Sequence, residues 1–517
     1  MSGAGAALSG NAVIGVIGAG AMGAGIAQIA AIAGHPVWLH DLRPGAAEAA
    51  IAGIRAQIGK LAAKGKLPAE RAAAASAALQ AAGTLDALRD ATLVVEAIVE
   101  DLDAKRALFT ALEERLADDA ILASNTSSIS ITAIGAALKR PERLVGMHFF
   151  NPAPLMPLVE VISGVATDKA VADTVFATSA AWGKTPVLAR STPGFIVNRV
   201  ARPFYAEGLR LLQEGVCDAA TLDAVIRDAG GFRMGPCELM DLIGHDVNYA
   251  VTRSVFDAFY GDPRFAPSFV QLELVQAGHL GRKRGRGFYD YRDGAVKAEP
   301  VSASAQPRPW RIALNLGHPV AAAWSKRMYA SAAQPLQTLG SVADGRIATI
   351  DDRTAVFATD GRSATALAQA LGLPAVVTVD LMLDPATAKR AAIAVSAHCS
   401  DAARDAVIGM LQSAGLAVSV LADSPGLAVF RTVAMLANEA FDAVHQQVCS
   451  EAAVDVAMRG GVNYPIGPVE WARRIGLARV LAGLDHLQAH YREPRYRASA
   501  RLRHAVLVAP PATGTCA

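Results

Sequence analysis

Along the first part of the chain, short apolar runs alternate with longer stretches whose apolar residues recur at helical spacing. Residues 12–17 (AVIGVI) are a continuous apolar run, and after a glycine-rich turn small and apolar residues continue to Ile32 at helical spacing. This predicts strand, turn and helix. Gly34 and Pro36 stop the helix, residues 37–39 make a second strand, and Asp41 follows its end. Further apolar runs fall at 92–95, 120–123, 144–149 and 158–162, with helical stretches such as 105–116 between them. Strands that alternate with helices predict a doubly wound α/β sheet over residues 1–191.

From Pro193 the pattern changes to long helical periods, which predicts an all-α domain over 192–291. Residues 292–345 are expected as a linker, because their first part is rich in Pro, Ser and Ala and shows no periodic face. Residues 346–422 hold short apolar runs with helical spacers and no GxGxxG turn, so a degenerate α/β segment without a cofactor is expected there. Residues 423–517 read as a second helical domain, because 193–244 aligns without gaps to 425–476 at a constant offset of 232. Identities include Pro193/Pro425, Gly194/Gly426, Arg199/Arg431, Glu207/Glu439, Asp223/Asp455 and Gly235/Gly467. The matching turns and charges point to a duplicated helical domain.

Composition narrows the partners. At 517 residues the chain exceeds one core and calls for several packed units. A net charge of +2 gives no field for nucleic acid or a membrane surface, and no apolar stretch reaches membrane-helix length. The basic run 282–286 lacks interleaved aromatics and reads as a solvated loop. Five cysteines without a CxxC pair, and no basic-then-apolar leader pattern, make a cytoplasmic protein the expectation.

Candidate chemistry begins in the turn Gly18-Ala19-Gly20-Ala21-Met22-Gly23. Gly18 allows the tight turn, Gly20 lets backbone amides approach a pyrophosphate, and Gly23 lets the helix pack closely on its strand. Asp41 can hold an adenosine ribose and repel a 2′-phosphate, which favours NAD over NADP; Arg43 weakens that inference, and a helix cap is the alternative role for Asp41. His148 ends one strand and Glu160 lies on the next, beyond a loop stiffened by Pro152, Pro154 and Pro157. A histidine with a carboxylate on its other nitrogen is a general base for a hydroxyl proton. Spacing alone does not separate that role from a structural one.

The motifs GAGAMG (18–23), VVEAIVEDLDAK (94–105), SNTSSI (124–129), GMHFFNPAPLMPLVEV (146–161), PGFIVNR (193–199) and GRGFYDY (285–291) together resemble the L-3-hydroxyacyl-CoA dehydrogenase family over roughly residues 11–290. The resemblance implies a Rossmann-type NAD domain, no metal, and NAD-dependent oxidation of an acyl-CoA substrate. It implies His148 as general base with Glu160 as its partner, and Ser127 and Asn198 as donors to the reacting oxygen. Gly18, Gly20, Met22, Gly23, Asp41, Glu100, Lys105 and Asn125 fall at positions that face the cofactor, and Asn151 lines the same cleft. Lys64 matches a coenzyme A contact. Because Asn198 lies in the helical segment, the site is expected to assemble across a cleft.

The extension beyond residue 290 resembles a longer family form of 3-hydroxybutyryl-CoA or 3-hydroxyadipyl-CoA oxidation, the latter in phenylacetate degradation. Phe430 stands where Asn198 would repeat, so the second copy is expected to lack activity and either to cover the first copy's apolar surface or to mediate a homo-oligomer. The alternatives are a gulonate-type dehydrogenase of free sugar acids and a non-catalytic, crystallin-like relative.

Overall fold

A computed structural model of the protein describes residues 5–331, 337–339 and 344–509. Parts of the expected linker and the end of the last expected domain lie outside these residues. By compactness the chain divides into one unit of residues 1–199 with 446–462, and a second of 200–445 with 463–517.

In the first unit the apolar runs become β1 (Ile14–Ile17), β2 (Val37–His40), β3 (Leu79–Ala81), β4 (Leu93–Glu96), β5 (Ile121–Ser124), β6 (Leu144–Phe149), β7 (Leu158–Ser163) and β8 (Thr185–Arg190). They form one sheet in the order β3-β2-β1-β4-β5-β6-β7-β8, parallel throughout except that β6 and β7 are antiparallel. β1 and β4 to β6 are buried along their whole length, which is why they read as continuous apolar runs without alternation. Helices α1 (Ala21–Ile32), α2 (Ala46–Ala63), α3 (Ala69–Ala77), α4 (Leu102–Glu113), α5 (Ile131–Gly135) and α6 (Lys169–Ala181) connect them. Ile14, Val16, Ile26, Leu39, Val95, Val145 and Val159 share the core between helices and sheet. The doubly wound sheet is the fold expected from the alternation of patterns. A short helix α7 (Val197–Val200) leads out of the unit.

The second unit opens with α8 (Arg202–Gln213), α9 (Ala219–Asp228), α10 (Pro236–Ile243), α11 (His245–Ala258) and α12 (Phe269–Gln276). A second sheet follows: β9 (Ile312–Asn315), α13 (Pro319–Ser331), β10 (Gln337–Leu339), β11 (Ala348–Ile350), β12 (Thr354–Ala358), α14 (Ala364–Leu371), β13 (Val376–Val379), β14 (Arg390–Val395), α15 (Asp401–Ser413) and β15 (Ala417–Val420). Its order is β10-β9-β11-β12-β13-β14-β15. The expected linker of 292–345 is therefore corrected: it carries β9, α13 and β10. β9 is buried at Ile312, Ala313 and Leu314, so it shows no alternation, and the alanine-rich start of α13 offers little contrast between faces. Pattern reading fails where contrast is low.

The chain ends in α16 (Val429–His445), α17 (Glu451–Val462), α18 (Pro468–Ile475), α19 (Leu477–Tyr491) and α20 (Ala500–Val508). α16 is buried at every position from Val429 to Ala443, and it packs on α8, α18 and α20. The helix is nonetheless not apolar on all sides, since Arg431, Asn438, Glu439 and Asp442 are buried with it and must be paired. Its one buried arginine, Arg431, donates to Glu207 at 2.7 Å, to both oxygens of Glu214 at 2.9 and 3.0 Å, and to Tyr491 at 2.9 Å. The second helical copy thus covers the first within one chain.

The two helical copies also exchange a segment. In the first unit α17 of the second copy packs on β7 and β8, with Arg190 N donating to Val448 O at 2.9 Å and Arg199 Nη1 to Gln446 Oε1 at 2.9 Å. In the second unit α9 of the first copy packs on β14, and Ala422 N donates to Val216 O at 3.1 Å. Positions 190 and 422, 216 and 448, and 199 and 431 are repeat partners, so the same contacts are made twice with the copies reversed.

Candidate active site

The turn from β1 to α1 has the shape a dinucleotide requires. Gly18 has φ +102°, and a Cβ on it would collide with Ala97 O; a Cβ on Gly23 would collide with Gly18 O. Nothing lies within 4 Å of a Cβ built on Gly20, and the α1 N-terminus has no side-chain cap. Its amides are left to an anion. Asp41, directly after β2, accepts from Ala19 N at 2.8 Å and Arg43 N at 2.9 Å, while α2 begins only at Ala46. It therefore does not cap α2. The Arg43 guanidinium, bonded to both its oxygens, holds the Asp41 carboxyl well below the usual carboxylate range. A cavity of about 690 Å³ lined by Gly18, Gly20, Asp41, Leu42, Val99 and Leu108 adjoins these groups. Glycine turn, anion-ready helix start and ribose acceptor fit NAD. Met22 lies half-buried in the first turn of α1.

The register of the antiparallel pair β6 and β7 sets His148 opposite Glu160. His148 Nδ1 lies 2.7 Å from Glu160 Oε2, and His148 is 5% exposed. A carboxylate can only accept, so Nδ1 carries the proton and Nε2 is the atom able to take another. Glu160 Oε1 accepts from Ile196 N at 3.0 Å and Val197 N at 2.9 Å. Both oxygens of the carboxylate are thereby fixed. The rings of Phe150 and Phe195 lie 4.5 and 6.0 Å from the imidazole, centroid to centroid.

The amides on Glu160 bind the 193–199 segment to β7 and bring Asn198 with it. Asn198 therefore belongs to the same compact unit as His148, Glu160 and Ser127, and Asn198 Nδ2 donates to Ser127 O at 3.4 Å. Compactness thus groups Asn198 with the sheet, although it stands at the head of the expected helical segment 192–291. Asn125 Oδ1 accepts from Phe149 N at 2.9 Å, which joins the end of β5 to the end of β6.

Glu100 organises the Ser127 loop. Its Oε1 accepts from Thr126 Oγ1 at 2.7 Å, Ser127 N at 2.9 Å and Ser128 N at 3.1 Å. Burial works to raise its pKa, but the Thr126 hydroxyl, the Lys105 charge and the loop amides outweigh it, and the carboxyl sits below its ordinary value. Lys105 is itself buried, with Nζ 2.6 Å from Glu96 Oε1 and 3.4 Å from Glu100 Oε2. Sequence reasoning missed Glu96, which also accepts from Ser124 Oγ at 2.7 Å. Its signal was available: an acid closing an otherwise apolar strand must be paired.

Asn151 is exposed at the start of the loop after β6, and Lys64 is exposed just past α2. Between α1, α2 and that loop lies a second cavity of about 710 Å³, lined by Gln28, Gln57, Leu61, Pro152, Pro154 and Lys184. Lys184 Nζ donates to Ala153 O at 2.6 Å and Met156 O at 2.9 Å, fixing the loop.

Comparison with known proteins agrees with this geometry. The model of the 3-hydroxyacyl-CoA dehydrogenase NAD binding domain matches residues 13–192, and that of the C-terminal domain of the same family matches 194–291 and again 426–509. A 3-hydroxybutyryl-CoA dehydrogenase reduced Rossmann-fold domain matches 356–425. The chain belongs to the 3-hydroxyacyl-CoA dehydrogenase family. It is 45% identical over 498 residues to a 3-hydroxyadipyl-CoA dehydrogenase of Escherichia coli strain K12, covering 96% of this chain and 97% of that one. A crystal structure named as 3-hydroxybutyryl-CoA dehydrogenase from E. coli K12 superposes with a TM-score of 0.87 at 44% identity, covering 97% of this chain and 99% of that chain. A 3-hydroxybutyryl-CoA dehydrogenase of Clostridioides difficile is 41% identical over 276 residues, which is 53% of this chain and 98% of that protein. The C-terminal domain model falls on both helical copies, as duplication requires. Among the described residues no helix is long and apolar enough to cross a membrane.

Proposed function

We propose that the protein oxidises an L-3-hydroxyacyl-CoA to the 3-oxoacyl-CoA with NAD. The observation that carries this reading is the His148–Glu160 pair, held at 2.7 Å with the second Glu160 oxygen bound by two backbone amides. His148 Nε2 takes the proton of the substrate hydroxyl, and Glu160 stabilises the imidazolium and keeps the ring from turning. Ser127 and Asn198 donate to the oxygen as its C–O bond gains double-bond character. When bound, NAD accepts the hydride from the same carbon. Glu100 and Lys105 shape the loop that presents Ser127, and Asn125 the strand end that presents His148. The cavity between α1, α2 and the proline loop is where the coenzyme A tail would lie, with Lys64 one turn beyond Leu61 to meet its phosphates.

Among the acyl esters we favour 3-hydroxyadipyl-CoA, on the strength of the relative matched along almost its whole length; 3-hydroxybutyryl-CoA is the competing ester. The four described cysteines are free, in keeping with a reducing, cytoplasmic setting. The test is nicotinamide absorbance with acetoacetyl-CoA, 3-oxoadipyl-CoA and the matching free acids, each with NADH and with NADPH. Oxidation of NADH by the esters alone is expected. Turnover of free acids alone would refute the coenzyme A reading, and a preference for the butyryl ester would overturn the adipyl assignment.

A further inference from the structure

We infer that α17, a helix of the second helical copy, is a positioning element for the catalytic centre and acts through Gly461. The inference rests on the reading of His148 and Glu160 as the catalytic pair. Gly461 is buried in the last turn of α17, within the first unit. A Cβ built on it would lie 2.7 Å from Leu158 Cδ2, 3.0 Å from Val197 Cγ2 and 3.6 Å from Phe150 Cε1.

Each of those three residues supports the pair from a different side. Leu158 precedes Glu160 by two residues on β7, so both point to the same face of the sheet. Val197 N donates to Glu160 Oε1, and the Phe150 ring lies 4.5 Å from the imidazole. Gly461 is the point at which these three side chains meet the helix. Arg199 and Arg190 tie the start of the segment through Gln446 and Val448, and α17 itself packs along β7 and β8, so an added side chain at Gly461 pushes against the strand that carries Glu160. Gly460, one residue earlier, is a control supplied by the fold: its Cβ would meet Leu158 Cβ at 3.4 Å and Pro157 at 3.7 Å, ordinary contacts.

Glycine is a poor helix former, so alanine at either position helps the helix itself, and only steric fit separates the two substitutions. Gly460→Ala is expected to keep the wild-type kcat. Gly461→Ala should lower kcat several-fold and Gly461→Val by roughly 10–100-fold, since a misplacement of about 1 Å costs on the order of 10²-fold. The KM for NAD and the NAD affinity measured by fluorescence should stay within about twofold, because the nucleotide site is built from other elements. An unchanged kcat in Gly461→Val overturns the inference, and so does a parallel loss of kcat and NAD affinity, which marks a merely structural role. If Gly461→Val does not fold, the alanine pair decides: lower kcat in Gly461→Ala than in Gly460→Ala supports the role, and equal values refute it. His148→Ala with full turnover would instead remove the underlying reading of the site.

Discussion

The proposed catalytic centre has a counterpart in the second unit that keeps its scaffold and lacks its proposed catalytic side chains. The helical repeat aligns β8 with β15, and the strand registers carry the match across β14, β13 and β12. Ser130 and Ser363 then cap equivalent helices, and Ser191 and Asp423 accept from equivalent amides at Ile131 and Ala364. At the place of His148 stands Asp380, and at that of Glu160 stands Ala392. Ser127 corresponds to Asp360, which is held by Arg362, and Asn198 to the fully buried Phe430. Base, partner and both donors are gone. Yet Asp380 accepts from Ala428 N and Val429 N, the repeat partners of the two amides that fix Glu160. The carboxylate has moved one strand over and still secures the helix start. Holding that helix and activating a base are separable duties, and in the proposed mechanism Glu160 performs both.

The sharpest way to break the comparison is His148→Ala. Turnover should fall by roughly 10²–10⁴ with NAD binding intact, and substantial residual turnover that disappears on further change of Asp380 would show that the second sheet has chemistry after all. Arg431→Met should cost the second unit roughly 3–5 kcal/mol in urea denaturation, because Glu207 and Glu214 lose the cation that hydrogen-bonds to them and keep only the charge of Arg210 nearby; a loss below about 1 kcal/mol would show that Arg210 or other groups take its place. Gly20→Leu should weaken NAD binding on the order of tenfold or more by filling the space left open at the turn. Equal affinity in calorimetry would remove the loop from the cofactor site.

The smallest effect concerns Asp380 itself. Burial pushes its carboxyl up to about 6 against the donation of four backbone amides. Between its unfolded value and about 6 the folded unit binds a proton that the unfolded chain does not, so this group favours folding more as pH falls. The stability of wild type minus that of Asp380→Asn should therefore be about 1 kcal/mol greater at pH 5 than at pH 7. A difference that is flat or reversed in sign would show that Asp380 takes up no proton in the folded unit and holds the helix start as a carboxylate throughout, as Glu160 does.

Much of this site was legible in the sequence because its parts are local. The glycine turn, Asp41 at a strand end, and His148 and Glu160 on neighbouring strands all follow from short patterns whose spacing the backbone preserves. What stayed hidden is non-local or low in contrast. Gln446 and Gly461 reach the first sheet from a segment about three hundred positions beyond His148, and no periodicity announces that. Asn198 belongs in sequence with the helices that follow it, and only the Glu160 carboxylate, read in three dimensions, ties its segment to the sheet. β9 and α13 escaped because a fully buried strand and an alanine-rich helix do not alternate.

The exchanged helices also set the order in which the molecule can be finished during synthesis. A nascent chain that has passed residue 199 has made every side chain of the proposed catalytic pair and its donors, yet β7 and β8 still await α17. The first unit to begin folding is thus completed only when residue 462 has left the ribosome, after the whole second sheet. Domains that fold as they emerge usually close one after another; here the earliest must stay open for the latest, so a chain released in between leaves β7 and β8 without their helix.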